Sequence, residues 1–140
     1  MKILIAVDGS PFTKRMLGYV AAHDELFGPA HEYTLLTAVP AVPPRAAAVI
    51  DKQTLAEYYA DEAEKVLKPV RTFFEKQGLK AKTSFKVGHP AEVITKAATT
   101  GKYELLVMGS HGHNALGNLV LGSVATKVLA DCKTPVLLIR

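Results

Sequence analysis

Five short apolar runs punctuate the chain, and between them lie stretches whose apolar residues recur every three or four positions. Ile3 to Val7 is the first run, uninterrupted and ending in Asp8-Gly9-Ser10-Pro11, which reads as a strand buried on both faces. Ser10 then offers an N-cap and Pro11 a first helical residue, because proline lacks only an N–H that has no partner there. Met16, Leu17, Val20 and Ala21 give this helix its apolar stripe, and Gly28-Pro29 is expected to end it. Tyr33 to Val39 is the second strand, closed by Pro40. Past a proline-rich loop at 40–44, Leu55, Tyr59, Ala63, Val66, Val70 and Phe74 recur at helical spacing. Pro69 inside that stripe predicts a kink or a break, and Gly78 an end. Ala81 to Val87 alternates as a half-exposed strand does. Gly88-His89-Pro90 opens a short helix over 91–100, with His89 at the capping position. Glu104 to Met108 is the fourth strand, Asn118 to Ala130 a helix and Val136 to Ile139 the last strand.

The order βαβαβαβαβ across short links demands right-handed crossovers and a parallel sheet covered on both sides. A chain of 140 residues, 49% hydrophobic, supports one core. The expectation is a single α/β domain over 1–140, an open five-stranded parallel sheet with helices on both faces. With the first and fourth strands adjacent, the strand order is 3-2-1-4-5.

Charge changes this picture little. Seventeen Lys+Arg against thirteen Asp+Glu leave a net +4, but the basic residues are scattered. The one local bias, Lys76, Lys80, Lys82 and Lys86, reads as a solvated strand face or edge guard, so no nucleic-acid partner is expected. Five apolar residues between Lys2 and Asp8 are too few for an export signal. The stretch from Tyr33 to Ile50 is broken by Pro40, Pro43, Pro44 and Arg45, so no membrane insertion is expected. The lone Cys132, at a helix end, fits a cytoplasmic setting.

Candidate chemistry gathers where ligands sit in such sheets, beyond the carboxyl ends of the strands at the point where strand order reverses. The first and fourth strands end in VDGS and VMGSHG. Gly109 and Gly112 are expected to let backbone approach a ligand and to adopt positive φ, while Gly122-Ser123 adds an amide and a hydroxyl. Gly122 falls where the helix from Asn118 is expected to be running already. No glycine is followed by Lys and then Ser or Thr, so the P-loop is absent. The dinucleotide fingerprint fails too, since Gly109-x-x-Gly112 follows the fourth strand and not the first. Leu121-Gly122-Ser123-Val124-Ala125 lacks the second glycine of a nucleophile elbow. His111 and His113 have no third ligand in view, and no metal site is expected from them.

What remains is G-x2-G-x9-G-S, spelled Gly109, Gly112, Gly122, Ser123. Together with ILIAVDGS, GHPAEVI, LLVMGSHG, LGSVATKVL and PVLLIR, this spacing resembles the nucleotide-binding universal stress proteins over nearly the whole chain. The resemblance implies a Rossmann-like fold akin to the adenine nucleotide alpha hydrolases, and ATP as the ligand. Adenine would lie at Ala6, Asp8 and the Val39 backbone, and ribose by Met108 and Gly109 with Asp8 near a hydroxyl. The phosphates would lie between Gly112, His113 and Asn114 on one side and Gly122, Ser123 and Val124 on the other, carrying any Mg²⁺ or Mn²⁺ mainly themselves. His113 stands where relatives often have Arg or Lys, and an imidazole is only partly charged near neutrality, so binding should tighten as pH falls towards 6.

Asp8 equally reads as the cap of the turn into the first helix. No set of residues for holding Mg²⁺ and positioning a nucleophile is visible, so the expected role is a stress-response regulator with little or no hydrolysis. The alternatives are a weak ATPase or phosphotransferase, and a nucleotide-free structural or chaperone-like dimer. The resemblance also implies a homodimer through the edge strand 136–139.

Overall fold

The computed structural model describes residues 1–113 and 120–140. Five strands, β1 (Lys2–Ala6), β2 (Glu32–Val39), β3 (Ala81–Val87), β4 (Leu105–Gly109) and β5 (Val136–Ile139), form one sheet in the order β3-β2-β1-β4-β5. Every neighbouring pair is parallel. The described helices are α1 (Pro11–Ala22), α2 (Pro44–Val49), α3 (Lys52–Lys76), α4 (Pro90–Thr100) and α5 (Ser123–Asp131).

Alternation along the strands splits the core in two. Ile3, Ile5, Leu35 and Val107 pack with α1 and α3 through Met16, Val20, Leu67 and Phe74. Leu4, Leu36, Leu106 and Met108 point the other way, to Ala91, Ile94 and Ala98 of α4 and Ala125 and Val128 of α5. Both faces of β1 are thus buried, as its unbroken apolar run requires.

Several expected boundaries move. The first helix stops at Ala22 and not near Gly28, with His23 at its C-cap and its N–H donated to the Val20 carbonyl; Phe27 folds back into the core at 1% exposure. The proline-rich loop contains a six-residue helix, α2, with no buried residue. Pro69 does not end α3, which runs for 25 residues from an Asp51 cap whose carboxylate accepts from the Thr54 N–H at 2.8 Å. The last helix begins at Ser123, so Gly122 is its N-cap and not an interior residue. Ser10 and His89 hold the N-cap positions of α1 and α4, but neither side chain makes a capping bond.

α3 also overshoots the sheet. Its fully buried positions begin only at Ala63, and the mostly exposed turns before it, with a half-buried Tyr59 on the core and Glu62 at the cavity, form a wall. The Tyr59 hydroxyl accepts from the Val42 N–H at 2.9 Å and ties that wall to the β2–α3 connection.

Candidate functional site

Strand order reverses between β1 and β4, and a cavity of about 600 Å³ opens there, at the carboxyl ends of β1, β2 and β4. Ala6, Asp8, Val39, Met108, Gly109, Gly112, His113, Gly122, Ser123 and Val124 all line it. Asn114, the remaining residue assigned from sequence, lies outside the described residues.

On the β1 side, Asp8 organises the turn into α1. Its Oδ1 accepts from the Ser10 N–H and from the Thr13 hydroxyl, each at 2.9 Å, and the Asp8 N–H donates to Thr13 Oγ1 at 3.1 Å. Asp8 therefore ties the turn that leads into α1 and does not cap the helix, since its carboxylate takes the Ser10 N–H and the Thr13 hydroxyl and no N–H of the first helical turn; Gly9 takes a left-handed φ of +75° to make the turn.

On the β4 side, the three glycines are required for space and not for left-handed backbone. None of Gly109, Gly112 and Gly122 has a positive φ, which corrects the expectation for the first two. A Cβ on Gly109 would lie 3.0 Å from the Phe12 Cβ, one on Gly112 2.7 Å from Asp8 Oδ2, and one on Gly122 3.0 Å from the His111 Cα. The β1 turn, the β4 loop and the start of α5 thus converge on one another with no room for side chains. Two main-chain bonds secure them: Gly122 N–H to the Ser110 carbonyl at 2.8 Å and Ser110 N–H to the Ile139 carbonyl at 2.9 Å.

His113 Nε2 donates to the Asp8 carbonyl at 2.5 Å and links the two loops across the mouth. A carbonyl only accepts, so Nε2 carries the hydrogen. His111, facing the cavity, is held by the Ser110 hydroxyl at 2.8 Å and by Phe12, whose ring centroid lies 4.8 Å away. The start of α5 has no side-chain cap, and the first N–H groups of a helix have no partner within it. Ser123, Val124 and Ala125, which carry those groups, all border the cavity.

Sequence reasoning missed Thr13, Glu62 and Val66, which also line the cavity. Thr13 had a signal in its position one turn into a helix that follows an Asp-Gly turn. Glu62 and Val66 had none, because their place depends on how far α3 overshoots. Among the described lining residues there is no Lys or Arg, and among the described residues no cluster of three His, Cys, Asp or Glu could hold a metal ion.

The profile of the universal stress protein family matches residues 1–140. The chain belongs to that family. A universal stress protein of Synechocystis is 33% identical over 140 residues, covering 99% of this chain and 42% of its own length, so the chain spans about two fifths of that relative. The solved structure of a Methanocaldococcus jannaschii universal stress protein, MJ0577, superposes with a TM-score of 0.81 at 30% identity, covering 99% of this chain and 94% of the other. The fold is shared with a universal stress protein from Archaeoglobus fulgidus solved in complex with dAMP (TM-score 0.70, 22% identity, covering 100% of this chain and 98% of the other). A single α/β domain with strand order 3-2-1-4-5 is thus the family's architecture in this chain. No described helix of this universal stress protein is long and apolar enough to cross a membrane.

Proposed function

We propose that this universal stress protein binds ATP in the cavity at the ends of β1, β2 and β4 and acts as a cytoplasmic regulator, with hydrolysis slow or absent. The carrying observation is convergence: every described residue assigned to the nucleotide from sequence lines the same cavity. The dAMP complex of the A. fulgidus relative supports an adenine nucleotide as the ligand class.

In this reading the base lies against Ala6 and Val39, a ribose hydroxyl meets Asp8, and the phosphates meet main-chain N–H groups at Gly112 and at the uncapped start of α5. Helix-start amides and the helix dipole suit an anion. The Nε2–H of His113 is taken by the Asp8 carbonyl, so this ring would offer the phosphates a donor only through a protonated Nδ1. The residues present fit a divalent cation only as a passenger: Asp8 and Glu62 are the lining acids, so Mg²⁺ or Mn²⁺ would be held chiefly by the phosphates. Self-association through β5 completes the proposal.

Calorimetric titration of Mg·ATP into wild type and Gly112→Val tests it. A saturable heat in wild type, weakened at least tenfold in the variant, is expected. Absence of binding by wild type at millimolar ATP overturns the proposal, and mass spectrometry of small molecules released from the purified protein gives an independent reading. Phosphate release with single-turnover kinetics faster than nucleotide exchange would favour the ATPase alternative instead.

A further inference from the structure

The two oxygens of the Asp8 carboxylate are used unequally. Oδ1 accepts from the Ser10 N–H and from the Thr13 hydroxyl, each at 2.9 Å, while no described residue donates to Oδ2. Oδ2 lies instead beside Gly112 in the cavity lining, where a Cβ on that glycine would come within 2.7 Å of it. One oxygen thus serves the turn, and the other faces the gap between the β1 and β4 loops.

Thr13 creates that asymmetry. Its hydroxyl accepts from the Asp8 N–H at 3.1 Å, so its single hydrogen is committed to Oδ1, and one hydroxyl fixes both the backbone and the side chain of Asp8. Thr13 is itself immobile: it is 5% exposed, in the first turn of α1, and its N–H donates to the Ser10 carbonyl at 3.0 Å. The last torsion of an aspartate is soft, with broad preferences. The Ser10 donor alone would let the carboxylate turn about it; a second donor, from the helix side, fixes its plane.

Resting on the reading that Asp8 meets a ribose hydroxyl, we infer that Thr13 is a positioning residue: it occupies Oδ1 and presents Oδ2 to the sugar, so that selection of ribose over deoxyribose is set from α1 and not by Asp8 alone. An ionised carboxylate only accepts, and a sugar hydroxyl is a donor that a deoxy position lacks. A site built to bond a hydroxyl rejects the analogue without one because its own polar group is left unpaired. That penalty requires a fixed acceptor, since a carboxylate free to swing to water loses little when the hydroxyl is missing. Thr13 spends its hydroxyl on Asp8, so its effect lies in the ratio of affinities for the two sugars.

Calorimetry of Mg·ATP and its 2′-deoxy and 3′-deoxy analogues on wild type, Thr13→Val, Thr13→Ser and Asp8→Ala tests this, with circular dichroism reading the fold. Wild type is expected to prefer ATP over one of the analogues by about tenfold, the worth of a hydrogen bond to a charged group, and the larger loss names the hydroxyl. Thr13→Val keeps the shape without the hydroxyl and should bring the preference to within about twofold, as Asp8→Ala does, whereas Thr13→Ser restores it. Thr13→Ala, which removes the hydroxyl without filling the space, carries the same expectation should the valine prevent folding. A folded hydroxyl-free variant that weakens all three nucleotides by one factor and keeps the preference overturns the inference, because a threonine that only supports the fold acts in that way. A wild type that binds all three alike also overturns it, while leaving nucleotide binding intact. A wild type that binds none of them overturns the proposed function and this inference together.

Discussion

A side chain on Gly122 would meet main chain, whereas one on Gly112 would meet a carboxylate that can turn. The Gly122 Cβ would crowd the His111 Cα at 3.0 Å and the Ser110 carbonyl at 3.2 Å, both pinned by the bonds that close the loop onto β5. Gly122→Ala should therefore destabilise by about 1–3 kcal/mol, the usual range for overpacking. Gly112→Ala displaces the Asp8 carboxylate and should cost about 1 kcal/mol, one weakened set of hydrogen bonds. Urea denaturation of the two variants checks the order, and a larger loss for Gly112→Ala would refute it. Tyr33 gives a pH-dependent prediction of its own. Burial pushes its phenol from 10.0 up to about 12, and its hydroxyl donates to the Gly28 carbonyl at 2.7 Å. The neutral phenol is favoured in the fold, so its contribution is complete below pH 10 and is lost as pH rises towards 12, where the unfolded phenol ionises first. Tyr33→Phe should lose about 1 kcal/mol near neutrality and decline less steeply between pH 10 and 12. Parallel declines in the two proteins would show that this phenol is not responsible. The site glycines were legible in the sequence because a place that admits no side chain leaves a spacing behind. The reason for them was half-legible: sequence suggested close approach to a ligand together with left-handed backbone, and the structure shows close approach of the loops to one another with no positive φ at these three.

The sheet has two edges, and they are built differently. β3 presents exposed Lys82 and Lys86, charges of the kind that keep an edge from pairing. β5 reads Val-Leu-Leu-Ile with no charge, three of its four residues only half-buried. On the proposed pairing through β5, Leu138→Lys should yield monomers in place of wild-type dimers, with the mass read by light scattering and the fold by circular dichroism. Leu138 also packs on the α4–α5 core, so a folded variant of unchanged mass is the outcome that counts against edge pairing. At this scale the strands were the most legible elements, because burial on both faces writes itself as a continuous apolar run. Helix ends were less so. The expected start at Asn118 lies outside the described residues; from residue 120 on, α5 starts only at Ser123, and the Gly122 N–H before it is taken by the Ser110 carbonyl. The extent of α3 was half-legible: its stripe predicted a helix, but the stripe alone does not say that full burial begins only at Ala63, with Tyr59 half-buried before it.

The molecule as a whole is two apolar cores separated by one sheet, and the cavity is where elements from both meet at the sheet's end. Glu62 and Val66 of α3 come from one side, and Pro90 and Ile94 of α4 with Ser123 to Ala125 of α5 come from the other. Between these walls no described strand continues, because β1 ends at Ala6 and β4 at Gly109. A ligand that fills the cavity therefore bridges the layers where the sheet does not. Anything that binds only the folded state stabilises it, by about 2.7 kcal/mol at a hundredfold excess over Kd. The distribution of that stabilisation separates a bridging ligand from one that merely sits on the glycine loop. With saturating Mg·ATP, amide hydrogen exchange should slow in α3 around 59–66 and at the start of α5 around 123–126 together, while the distant carboxyl-terminal turns of α3 change little. Protection confined to α5 would mean that the ligand does not engage the α3 wall, and would count against a ligand that bridges the two layers.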